Sequence, residues 1–92
     1  MSKLGRSVRR SRVDMHLTQG DLSQMCGAHV SLIAKIERGY IPANDTWLEP
    51  IGAALGWHPG GATILCRADR GDEVIQYDPA QVGKRYRRSR SQ

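Results

Sequence analysis

Apolar residues recur along this chain in five short blocks, each spaced as one face of a helix requires. Leu4, Val8 and Met15 stand four and seven apart, so the stretch from Leu4 to Met15 reads as a short amphipathic helix with Arg6, Arg9 and Arg10 on its other faces. Thr18-Gln19-Gly20-Asp21 has the spacing of a capping box, Asp standing in for the usual Glu. Leu17 before the cap and Leu22 after it suit a hydrophobic staple. Leu22, Met25 and Cys26 are the expected inner face of this second helix, and Gly27 its stop, because glycine enters the left-handed conformation cheaply.

A third helix is expected from about His29 to Arg38, with Ile33 and Ile36 inward and Gly39 closing it. Tyr40-Ile41-Pro42 follows as a turn, since proline moves its predecessor out of helical space. Thr46-Trp47-Leu48-Glu49 repeats the capping-box spacing and opens a fourth helix. Its buried stripe is Leu48, Ile51, Ala54 and Leu55, and Gly56 ends it. Pro59 can begin a fifth, short helix through Ile64 and Leu65, weakened by Gly60 and Gly61. After Arg67 the pattern changes. Val74-Ile75-Gln76-Tyr77 is a brief β-prone run, an edge strand or extended arm, and residues 84–92 have no apolar periodicity.

Size narrows this to one all-α domain: 92 residues leave no room for a second. The domain is expected over 1–68, with an arm and tail over 69–92. No apolar run approaches the roughly 20 residues of a membrane span. Cys26 and Cys66 make neither a disulfide framework nor a CxxC pair, as in a reduced, cytoplasmic protein. His16, His29 and His58 have no zinc-ligand spacing with either cysteine, so no metal is expected. No nucleophile, base or phosphate loop stands in an activating motif, so neither an enzyme nor a cofactor is expected.

Charge changes the picture more. The formal net charge is +5, but residues 1–12 carry +5, residues 13–68 carry −2, residues 69–83 carry −3 and residues 84–92 carry +5. Basic ends on a small domain point to a polyanionic partner. Two short helices joined at a glycine suit a helix-turn-helix over 18–38. Residues 17–39, LTQGDLSQMCGAHVSLIAKIERG, resemble the Cro/repressor (Xre) type of helix-turn-helix domain. Leu17-Thr18-Gln19, Leu22, Gly27, Ile33 and Ile36-Glu37-Arg38-Gly39 carry the resemblance. It extends over about residues 4–57, with a weaker likeness at Pro59–Leu65.

The resemblance implies a compact five-helix, lambda-repressor-like DNA-binding domain that acts as a dimer, here with an extended arm and basic tail. It implies a sequence-specific regulator of transcription, bacterial or phage in type, cytoplasmic and nucleoid-associated. The helix over about 29–38 would enter the major groove, with Val30, Ser31, Ala34 and Lys35 outward. Lys35 suits guanine O6 and N7, Ser31 either kind of base, and Val30 a thymine methyl. By the same resemblance Gln19, His29, Arg38 and Tyr40 lie at the DNA backbone, and Arg12 and Glu37 form an ion pair between the first and third helices. Val30 and Leu32 depart from the long polar residues usual at those positions. Lys84, Arg85, Arg87, Arg88 and Arg90 are candidate phosphate contacts of the tail. Two rival readings use the same fold: an antitoxin whose acidic arm 69–83 binds a toxin, and a module that docks on another protein. RNA is disfavoured, since no sheet with exposed aromatics is in prospect.

Overall fold

Residues 2–71 are described by the computed structural model, and they form five α-helices: α1 (Lys3–Asp14), α2 (Gln19–Cys26), α3 (Val30–Glu37), α4 (Leu48–Ala54) and α5 (Gly61–Arg70). No strand occurs among the described residues. The β-prone run at 74–77 and the basic tail at 84–92 lie outside them.

Helices of seven to twelve residues are too short to hold themselves in water, so packing must hold them. Leu4, Val8, Leu22, Ala28, Ile33, Ile36, Leu48, Ile51, Leu55, Ala62 and Cys66 form a single buried cluster to which every helix contributes. Each of the larger aliphatic side chains gives on the order of 1.5–3 kcal/mol by leaving water. Helix α1 packs on α3 and α5, α2 on α3 and α4, and α4 on α5. Two of these contacts need glycine. A Cβ on Gly5 would collide with the carbonyl oxygen of Ile36, and one on Gly52 would press on Ala62 and Trp57 at 3.3 Å.

Polar groups finish the helix ends. The capping box of α2 is formed: Thr18 Oγ1 accepts from the Asp21 N–H and Asp21 Oδ2 accepts from the Thr18 N–H, each at 2.9 Å. Gly27 follows in the left-handed region at φ 85° and closes the helix. The N-terminus of α1 is closed by Ser2, whose Oγ accepts from the Gly5 N–H, and by Asp69 of α5, whose carboxylate accepts from the Lys3 and Leu4 N–H groups at 2.8 and 2.9 Å. At the same end of α5, Arg70 donates to the carbonyls of Pro42 and Ala43 and to Asp45. The loop between α3 and α4 is thereby tied to α5.

Four expectations need correction. Thr46 and Glu49 do not form a capping box. Trp47 is the N-cap residue of α4 and makes no side-chain cap, while the Glu49 carboxylate reaches across to accept from the Gly60 N–H at 2.7 Å and the Thr63 hydroxyl at 2.8 Å. Helix α5 begins at Gly61 rather than Pro59, after Gly60 at φ 87°, and continues past Leu65 to Arg70. It outlasts its apolar residues because Asp69 and Arg70 bond to α1 and to the α3–α4 loop. Met15 and Met25, expected inward, are 43% and 51% exposed. Met15 is the C-cap of α1 and has already left the helical face, and Leu22 alone fills the core position of α2.

Candidate nucleic-acid interface

Helix α3 stands on the core through Ile33 and Ile36, both about 1% exposed or less, and this fixes which residues face out. Val30, Ser31 and Lys35 are exposed, while Ala34 and Leu32 are half-buried. The exposed three stand on a helix whose start is itself fixed. His29 is the N-cap residue, and its Nδ1 accepts from the Ser31 N–H at 3.1 Å and lies 2.8 Å from Ser31 Oγ. A ring nitrogen that accepts an N–H carries no proton, so the Ser31 hydroxyl donates to it. The lone pairs of Ser31 Oγ are left for an incoming donor, such as adenine N6 or cytosine N4. His29, expected at the DNA backbone, thus serves first as a cap.

The turn before α3 is held from within. Ser23 Oγ donates to the Ala28 carbonyl at 2.6 Å, and the ring of Trp47 lies over Gly27, 3.5 Å from where a Cβ would stand. Sequence reasoning did not single out Ser23, and a lone serine near a helix end gives little signal for it.

Arg12 of α1 and Glu37 of α3 meet as a two-pronged pair. Nε donates to Oε2 at 2.7 Å and one terminal nitrogen to Oε1 at 2.9 Å, while the other terminal nitrogen donates to the Leu17 carbonyl at 2.8 Å. The side chains are 13% and 3% exposed. The hydrogen bonds from Arg12 to Glu37 raise the arginine pKa further above its ordinary value. Gln19 joins them: its Nε2 donates to Glu37 Oε1 at 3.1 Å. This cluster locks the start of α2 and the ends of α1 and α3 in one arrangement. It also shows that Gln19, expected to clamp a phosphate, has turned its amide nitrogen inward and leaves its oxygen uncommitted by any of these bonds.

Arg38 and Tyr40 follow α3 at its C-terminal end, and both are exposed, Tyr40 by 48%. The face running from His29 through Lys35 to Arg38 and Tyr40 therefore carries cations and hydrogen-bonding groups around a short apolar patch at Val30. No acidic side chain projects from it, because Glu37 is turned into the pair with Arg12. Among the described residues, no group of three His, Cys, Asp or Glu side chains could hold a metal ion, and no helix is long and apolar enough to cross a membrane. Trp57, the other tryptophan, is half-buried and donates from Nε1 to Ser11 Oγ at 3.0 Å. The five cations of the tail and the arm beyond Gly71 are outside the described residues.

Comparison of the chain with protein-family models, with curated proteins and with solved structures gives no match.

Proposed function

We propose that this chain is a sequence-specific duplex-DNA-binding regulator of transcription of the Cro/repressor helix-turn-helix type, with a lambda-repressor-like domain. The observation that carries the reading is the α2–Gly27–α3 unit. A capped helix, a left-handed glycine and a second helix present Val30, Ser31 and Lys35 outward from a core-anchored face. An exposed, rigidly held helix bearing a lysine and a serine has the size and chemistry that a major groove accepts. The Arg12–Glu37–Gln19 cluster supports the same reading, because base readout requires the reading helix to be held in a fixed orientation. One short helix touches few base pairs, so selectivity calls for two copies on a near-palindrome with half-sites about 34 Å apart.

The test is selection of bound duplexes from a random pool, followed by titration of the selected duplex with the Lys35→Ala variant. A selected motif, and a loss of about 1–3 kcal/mol with relaxed preference at one base pair, are the expected results. An unenriched pool, or a variant that binds selected and random duplexes as the parent does, overturns the reading.

A further inference from the structure

The outer face of α1 is more cationic than the proposed reading face, and none of the residues assigned above to DNA lies on it. Lys3, Arg6, Arg9 and Arg10 are all exposed and line a groove of about 710 Å³ along α1. Val13, 53% exposed, and the half-buried Leu65 of α5 give the groove an apolar lining, and Asp14 is its only acid. At 100° per residue, Arg10 lies about 140–160° around α1 from Gly5 and Arg12, two residues that meet α3, and Arg6 about 100–120°. A partner seated on α3 does not cover them.

We propose that this groove is the seat of the chain's own acidic segment, Asp72-Glu73-Val74-Ile75-Gln76-Tyr77-Asp78. Three observations favour this occupant. The first is position. Helices α1 and α5 lie antiparallel, with Trp57 beside Ser11 at one end and Asp69 on the Lys3 and Leu4 N–H groups at the other. The described chain ends at Gly71, two residues beyond Asp69 and in the left-handed conformation at φ 80° that reverses direction after a helix. The described chain thus ends close to Lys3, at the mouth of the groove.

The second is reach. From Lys3 to Val13 the helix rises about 15 Å at 1.5 Å per residue. Seven residues in extended form span about 23 Å at 3.3 Å each, enough to run the whole length. The third is complementarity. The segment has three acids, three apolar side chains and no cation, against four cations and an apolar lining. A second copy of the same groove would set like charges against each other. The inference does not rest on the DNA reading, since a protein-docking module with these residues would carry the same groove and segment.

The test is amide NMR on the full chain at low salt. Order parameters for residues 74–77 near the value of about 0.85 typical of rigid backbone are expected. Replacing the acids together, D72N, E73Q and D78N, should drop them below about 0.6 and shift the amide signals of Arg6, Arg9 and Arg10 while leaving those of α3 in place. The pair R6Q and R10Q, on an exposed face, should release the segment in the same way. The idea is overturned by values below about 0.6 in the unmodified chain, or by α1 signals that ignore the triple substitution. It is equally overturned if signals of the α1 face move with protein concentration, or move on adding duplex DNA while 74–77 stay disordered, because another occupant then holds the groove.

Discussion

At the residue scale the Arg12–Glu37 pair is where chemistry and stability meet. Two charges in a part-buried position are tolerable only together, and removing one strands the other. Arg12→Ala leaves a carboxylate that is 3% exposed with Gln19 as its remaining side-chain donor, and deprives the Leu17 carbonyl of its bond. Glu37→Ala strands a guanidinium that is still 13% exposed and still bonded to Leu17. Both variants should lose on the order of 3–5 kcal/mol, Arg12→Ala the more, in urea unfolding at neutral pH. Unchanged midpoints for both would mean that the pair contributes nothing to the fold. The resemblance pointed to this pair, whereas periodicity alone left Arg12 as one more cation on a basic helix. The role of Gln19 was not legible, because an amide at a helix start suits a phosphate and an inner carboxylate equally well.

At the element scale the helices are completed by their neighbours, and two predictions follow from how. Gly5→Ala should raise the intrinsic propensity of α1 by up to about 1 kcal/mol. It should nevertheless destabilise the protein by about 1–3 kcal/mol, because the new Cβ meets the Ile36 carbonyl and forces α1 and α3 apart. A higher melting temperature for this variant would show that the contact yields. The second concerns acid. The Gly60 N–H and the Thr63 hydroxyl hold the Glu49 carboxyl below its ordinary pKa, and the backbone and side chain of Thr18 do the same for Asp21. A carboxyl depressed in the folded state stabilises fully above its unfolded value, about 4, and loses that contribution as pH falls through the folded value. Melting temperature should therefore fall below about pH 4, and Glu49→Gln should show a shallower fall with a lower plateau at pH 6. Parallel curves for parent and variant would remove Glu49 from the account.

The sequence displayed the caps that a helix makes with its own residues, such as Thr18 with Asp21 and the turn at Gly27. It could not display Glu49 capping α5 or Asp69 capping α1, since nothing in a carboxylate's spacing reveals a partner 11 or 65 residues away. The same blindness made Thr46 and Glu49 look like a box. The outward face of α3 was legible because two inward isoleucines fix it.

For the whole molecule the distribution of charge sets what a polyanion would feel. The proposed reading face holds Lys35 and Arg38, too few cations for strong non-specific binding, while residues 84–92 hold five more. Each phosphate neutralised adds about −0.9 to the slope of log affinity against log salt. Deleting residues 84–92 should flatten that slope by about two units, as if two or three of the five engage at once, and weaken selected and random duplexes alike. Equal slopes would leave the tail without a part in binding, and a loss confined to the selected duplex would give it a part in reading sequence. The acid at position 69 has a different kind of consequence. Two backbone amides at the start of α1 have their acceptor near the far end of α5, so α1, made before the four helices that follow it, is finished only after them. During synthesis α1 must wait, its Lys3 and Leu4 N–H groups without this acceptor, until Asp69, 65 residues beyond Leu4, has followed. A nascent chain arrested before Asp69 should therefore remain open to protease at α1, and a competent domain should arise in one late step rather than grow helix by helix.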